Sequence, residues 1–257
     1  MRIGVTNQKG GAGKTTTTLN VAGALNQLGN DVLVIDLDPQ GHATEGLGCE
    51  DLYDDRERDS LFDVLPDLDR MDDLDQLIIE HDEVDAVPSH EKMINAEDAL
   101  ANVMKREERL DMLLEETDQD YDYVLVDCPP NLGVLTDNAI VATGNVLIPA
   151  QAKTTSIRAI KLLFKQLRSI ESAFGDVDEL ALVANEVEVD GEADEMMDWF
   201  RNVFEDKDGC EVFEVRKRVA LQRAWNNGVS IFEHEEESDM EDVYLDVARH
   251  LEAFGDE

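Results

Sequence analysis

The seven residues Lys9-Gly10-Gly11-Ala12-Gly13-Lys14-Thr15 constrain this chain more than any others, because they stand between the apolar run Ile3 to Thr6 and a helix-like stretch from Thr16 to Leu28. Glycines let a backbone wrap a polyphosphate, so that successive N–H groups and the N-terminus of the following helix point at its oxygens. In that geometry Gly10, Gly11, Ala12 and Gly13 form the cradle. Lys14 reaches the β- and γ-phosphates, the Thr15 hydroxyl is a ligand for Mg²⁺, and Thr16 meets the α-phosphate. The common pattern G-x-x-x-x-G-K-[ST] is broken at its first position, where Gln8 stands. The match is to a variant that carries a second lysine, Lys9, at the head of the loop.

Two further segments follow in the order a nucleotide site requires. Val32-Leu33-Val34-Ile35 reads as a fully buried parallel strand that delivers Asp36 and Asp38 to its C-terminal end, where open α/β sheets bind ligands, and Pro39 stops it. Tyr123-Val124-Leu125-Val126-Asp127 is a second such strand, halted by Cys128-Pro129-Pro130, and it reads as a Walker B element. Asp127 would then hold Mg²⁺ directly or through water, with Asp36 a further candidate metal ligand. Either carboxylate could instead be a solvated strand end that caps a helix.

Apolar runs at Ile3 to Thr6, Val32 to Ile35, Val84 to Val87, Val124 to Val126, Val146 to Ile148 and Leu180 to Ala184 alternate with helical patterns. That alternation predicts an α/β fold of the P-loop NTPase kind, a doubly wound and mostly parallel sheet flanked by helices. The 257 residues fit one domain spanning 1–257, with no linker or repeat. No stretch reads as a signal peptide or is apolar enough to span a membrane. Cys49, Cys128 and Cys210 show neither metal-ligand spacing nor a disulfide framework, which predicts a reduced cytoplasm.

With these residues in view the chain resembles the ParA/Soj partition ATPases of the deviant Walker A group, which also contains MinD. Thr6 to Gly11, Asp36-Leu37-Asp38-Pro39-Gln40-Gly41 and Asp127-Cys128-Pro129-Pro130-Asn131-Leu132-Gly133 carry the likeness, and Leu147-Ile148-Pro149 and Val219 to Phe232 continue it. The resemblance implies ATP and Mg²⁺ as cofactors, a homodimer closed on ATP, and weak hydrolysis stimulated by a ParB-like or other adaptor protein. It makes Lys9 the signature lysine that reaches the phosphates of the opposite subunit, Asp38 the residue that orients the attacking water, and Asn185 a contact to adenine. Relatives with an added N-terminal DNA-binding extension differ from this chain, whose first strand is expected from Arg2.

Charge is the second informative feature: 60 acidic residues against 22 basic, a formal −38, where a small domain needs only about 2 to 8 units for solubility. Such self-repulsion is tolerable when salt shortens the Debye length to about 3 Å at 1 M, which implies a high-salt cytoplasm. An acidic protein with acidic partners is the other reading. Much of the acid lies in Glu50 to Asp85, where Leu52, Leu61, Phe62, Val64, Leu65, Leu68 and Leu74 predict short anchored helices.

Basic residues are few and clustered. Lys153 to Ile170 contains five of them and no acid, with Arg158, Lys161, Lys165 and Arg168 at i, i+3, i+7 and i+10 and Ile160, Leu163, Leu167 and Ile170 opposite. Arg216, Lys217, Arg218 and Arg223 form a second acid-free island. Members of the family bind DNA nonspecifically through basic residues in this neighbourhood, which implies nucleoid association. Where many relatives have an arginine, however, this chain has Ala220. The Arg158 to Arg168 stripe could instead pair with acidic surface elsewhere. A MinD-like membrane-cycling or scaffold-positioning ATPase is the alternative. Its amphipathic tail is matched in part by Val243, Val247, Leu251 and Phe254, but the polar residues there are mainly acidic and the tail ends Gly255-Asp256-Glu257, so docking on the core and no membrane contact are expected. An iron-protein relative would need paired interface cysteines, which the spacing does not supply.

If salt screening is what makes −38 tolerable, the urea unfolding midpoint should rise steadily from dilute to molar KCl. Equal stability without salt would contradict it.

Overall fold

A computed structural model describes residues 1–204, 207 and 209–255. Its frame is a seven-stranded, wholly parallel sheet made of β1 (Arg2–Val5), β2 (Val32–Asp36), β3 (Asp85–Val87), β4 (Tyr123–Asp127), β5 (Asn145–Gln151), β6 (Asp178–Val187) and β7 (Glu211–Arg216), in the order β3-β2-β4-β1-β5-β6-β7. The connections are α1 (Lys14–Gln27), α2 (His42–Gly46), α3 (Leu61–Val64), α4 (Leu74–Leu77), α5 (Ala96–Leu100), α6 (Arg109–Glu115), α7 (Val134–Thr143), α8 (Ser156–Phe174), α9 (Gly191–Phe204), α10 (Val219–Asn226) and α11 (Met240–Gly255).

Strands β2 and β4 are buried along their whole length, as continuous apolar runs in a doubly covered sheet must be. Helices cover both faces. On one side α1 and α11 pack around Ile3, Leu25 and Val247; on the other, α3 to α7 close over Ile35 and Val126, and α8 and α9 over Ile148 and Leu182. Because β1 lies between β4 and β5, the loop that follows it opens at a switch point of the sheet, the place where such folds bind ligands.

Three expectations from the sequence need correction. Strand β7 has no counterpart among the apolar runs: Glu-Val-Phe-Glu-Val-Arg is an edge strand of which only Val215 is fully buried. Among the expected anchors of the acidic segment, Leu61, Val64, Leu65 and Leu74 are buried, whereas Leu68 is 55% exposed on a single 3-10 turn. Helix α1 begins at Lys14, two residues before the predicted start. The C-terminal helix docks on the core as expected, with Val247 and Leu251 buried, but Val243 and Phe254 are only partly buried and Tyr244 and Ala248 are enclosed instead; Asp256 and Glu257 lie outside the described residues.

Helix α1 is also clamped from behind. Ser230 donates its backbone N–H to Glu83 Oε2 at 3.0 Å and its hydroxyl to Glu83 Oε1, and the Ile231 N–H reaches Asn20 Oδ1 at 2.9 Å. A Cβ at Gly23 would lie within 2.5 Å of Glu83 Oε1 and collide with the Ser230 hydroxyl. Burial raises the Glu83 carboxyl above its usual range. Alanine is intrinsically about 1 kcal/mol better than glycine in a helix, yet Gly23→Ala should lower the free energy of unfolding in denaturant titrations. A stabilised variant would mean that the clamp yields freely.

Candidate nucleotide site

The loop between β1 and α1 is held from several sides. Asn7 donates its side-chain amide to the Pro149 carbonyl at 2.6 Å and accepts the Lys9 N–H at 3.1 Å, and the Ala12 N–H turns back to the Lys9 carbonyl at 3.3 Å. Gly11 and Gly13 have φ of +73° and +90°, a region that side-chain-bearing residues rarely adopt. At Gly13 a Cβ would in addition lie 2.5 Å from Asn185 Nδ2.

Asp127, at the end of β4, is fully buried and receives two hydroxyls of α1: Thr15 on Oδ2 at 2.7 Å and Thr18 on Oδ1 at 3.1 Å. Beside it in register on β2 stands Asp36. Asp36 accepts the Thr44 N–H and hydroxyl on Oδ2 at 2.8 and 2.7 Å and the Asp38 N–H on Oδ1 at 3.2 Å. Burial raises both carboxyls above their ordinary range, Asp36 further because the Asp127 charge adds to it, while the Thr15 hydrogen bond and Lys14 oppose the rise at Asp127. Two adjoining carboxylates and a threonine hydroxyl in a buried site are a hard-oxygen donor set suited to a divalent cation, whose charge would remove the repulsion between them.

Asp38 is buried, its Oδ1 taken by the Gln40 N–H at 3.0 Å and its carbonyl by the Ser89 hydroxyl at 2.8 Å. Its Oδ2 faces His42 Nδ1 at 4.0 Å. His42 sits on the wall of a cavity of about 850 Å³ whose floor is Gly11, Gly13, Lys14, Thr15 and Thr16. That volume lies in the range of small-ligand sites. The far wall is Asn185, Glu186 and the β7–α10 segment through Trp225. The amide nitrogen of Asn185 is engaged with the Ala12 carbonyl at 3.2 Å and Thr17 Oγ1 at 3.0 Å. His42, Glu186 and Trp225 are site residues that sequence reasoning misses; no local pattern sets them apart, since the fold alone brings them to the cavity.

Lys9 is turned out of this cavity, and the two basic clusters part company. Arg216, Lys217 and Arg218 line the cavity and, with Arg223, are ion-paired to Glu214, Glu188, Asp239 and Glu236. Pairing with acidic surface thus holds for this island. Ala220 is buried on α10, so an arginine there would point into the core. Arg158, Lys161, Lys165 and Arg168 are exposed along α8, and among the described residues none has a carboxylate within 4.0 Å, whereas Ile160, Leu163, Leu167 and Ile170 are buried as expected.

A family model described as an AAA domain matches residues 1–178. The sporulation initiation inhibitor protein Soj of Bacillus subtilis (strain 168) is 34% identical over 268 aligned residues, covering 98% of each chain. Among solved structures, apo McdA from Cyanothece superposes with a TM-score of 0.85 at 22% identity, covering 97% of this chain and 98% of that one, a likeness of fold. The cobyrinic acid a,c-diamide synthase of Mycobacterium smegmatis, with bound ADP and magnesium, gives a TM-score of 0.78 at 25% identity, over 99% and 95% of the two chains. A loop with two lysines, a threonine-held Walker B aspartate and full-length similarity to Soj therefore coincide in one chain, which belongs to the ParA/Soj family of partition ATPases.

Proposed function

We propose that this protein is an ATP-hydrolysing switch that closes as a homodimer, binds duplex DNA nonspecifically in that state, and so partitions a plasmid or chromosome or positions a cargo. The observation that carries the DNA half is the α8 stripe. In a chain of net charge −38, most other arginines and lysines pair with a carboxylate, and these four, on one exposed face, have no such partner among the described residues. Phosphate contacts of this kind carry no sequence information, which suits nonspecific binding. Because Arg216, Lys217, Arg218 and Arg223 are already paired, they are the weaker candidates for DNA contact.

The hydrolytic half rests on the geometry of the loop. Lys14 and the loop N–H groups hold the phosphates of ATP, and Thr15 and Asp127 hold Mg²⁺. Asp36, hydrogen-bonded to Thr44 and Asp38, would add a second carboxylate charge beside Asp127 to hold that metal. Bound Mg²⁺ neutralises charge that develops on the phosphates. Asp38 Oδ2, the oxygen left over from the Gln40 bond, orients the attacking water, and Lys9 supplies charge in trans as an arginine finger does. Asn185 orders the loop against the base side of the cavity. A ParB-like or other adaptor protein that completes this arrangement would stimulate turnover.

Lys14→Ala should lose nucleotide binding in a fluorescent-ATP titration; retained affinity would remove the loop from the site. Lys9→Ala should bind ATP yet stay monomeric by light scattering, and a normal dimer would refute its role in trans. Asp38→Ala should keep the ATP dimer while hydrolysis falls by about a hundredfold, the scale of a lost general-base contribution.

For DNA, the Asp38→Ala dimer should bind a random duplex with ATP and not with ADP, and log K should fall with log[KCl] by about 0.9 per phosphate neutralised. Neutralising Arg158, Lys161, Lys165 and Arg168 should flatten that slope. An unchanged slope would assign the stripe to another partner.

A further inference from the structure

Lys9 faces away from the cavity that its neighbours line. Its ammonium donates to Gln151 Oε1 and Thr155 Oγ1, each at 2.8 Å. Gln151, the last residue of β5, donates its amide nitrogen to Glu186 Oε2 at 2.6 Å, so Glu186 fixes which end of that amide meets Lys9. Glu186 is one of two described non-glycine residues with positive φ, at +53°. It sits where the β6–β7 register shifts and on the wall of the nucleotide cavity. Backbone strain of this kind persists only where surrounding structure enforces it, and it gathers at clamps and switches.

At the other end of the chain of contacts, Thr155 is the N-cap residue of α8, yet its side chain makes no capping bond to that helix; the hydroxyl oxygen is given to Lys9. The parked ammonium therefore lies at the positive end of the α8 dipole, an unfavourable place for a cation, with Lys153 nearby and the Glu186 and Glu192 carboxylates opposing that effect. Burial first, and Lys153 next, push it below the ordinary lysine range.

We propose that Gln151, Thr155 and Glu186 form a cis holster for Lys9, and that nucleotide phosphate entering the cavity unloads it by repelling Glu186. Phosphates held by Lys14 bring negative charge into the cavity that Glu186 lines. Displacement of the Glu186 carboxylate frees the Gln151 amide to turn, and Lys9 loses its acceptor. Lys9 then leaves Thr155, the residue that precedes α8, so release of the trans-acting lysine also removes a cation from the N-terminal end of the basic helix. The proposal rests on Lys9 acting in trans. It adds the resting state of that lysine and a physical link from nucleotide to the DNA-facing helix.

Reductive methylation of the full chain, read by peptide mass spectrometry, tests it. Lys161 and Lys165 on α8, exposed and free of ion pairs among the described residues, serve as internal standards. Gln151→Ala and Thr155→Val should each raise Lys9 labelling in the nucleotide-free protein about two- to tenfold relative to those lysines, the range that loss of one hydrogen bond implies. ADP with Mg²⁺ should raise it similarly in the wild type. It should not do so in Glu186→Gln, which keeps an acceptor oxygen but lacks the charge. Unchanged labelling in Thr155→Val, the mildest substitution, overturns the holster even if Gln151→Ala fails to fold. Bound ADP without a rise in wild-type labelling, or with an undiminished rise in Glu186→Gln, overturns the unloading step. Failure to bind ADP at all would instead reject the nucleotide-site reading, leaving the nucleotide-free arms to decide the holster.

Discussion

Everything at this site is registered by one buried carboxylate. An unpaired ion at Asp127 would be untenable in so dry a place, and the two threonine hydroxyls that satisfy it, Thr15 and Thr18, are three residues apart on α1. They fix both the height and the rotation of α1 against β4. The phosphate loop must then arrive at its helix in a single geometry, with Gly13 forced into positive φ and pressed on Asn185. The same contact stores electrostatic tension, because Asp36 adjoins Asp127 across the ladder and burial opposes ionisation of both. A divalent cation held there would relieve that tension, so that the charges that order the site would also be the ones that favour the metal.

Those parts of the fold that local physics dictates are legible in the amino-acid sequence. Strands β2 and β4 are enclosed on both faces and so read as unbroken Val, Leu and Ile. The glycine loop announces itself through the backbone it needs, and α8 through a period that sets Ile160 and Leu163 against Arg158 and Lys161. Edge strand β7 has no such mark, since Glu211 and Arg216 face solvent and only Val215 is enclosed. Tertiary charge pairing is equally hidden. Nothing near Arg218 or Arg223 in sequence reveals Asp239 and Glu236, which lie 21 and 13 residues away. The strain at Glu186 depends on a register shift against β7, a strand that itself carries no sequence signal.

The acid excess takes on a more definite meaning once it is placed. Among the described residues, carboxylates are set against the cations that rim the cavity and against most others, and none pairs with Arg158, Lys161, Lys165 or Arg168 on the outer face of α8. Exposed pairs of this kind each contribute little to stability. Their effect is on where positive potential survives: among the described residues the outer face of α8 keeps its charge, and a polyanion, if one binds as proposed, would be steered there.

The position of β1 has a further consequence, for the birth of the molecule. It precedes the other six strands in the chain, yet its neighbours in the sheet are β4 and β5, and it has no strand to join until residues 123–127 have been made. The helix that follows it waits longer still, for its cover is α11, the last helix described. Early segments must therefore stay uncommitted, with apolar edges open, while most of the chain is translated. Non-local closure of this order slows folding and exposes intermediates to aggregation. Where salt does not screen it, a dense coat of negative charge would repel one unfinished chain from another during that interval.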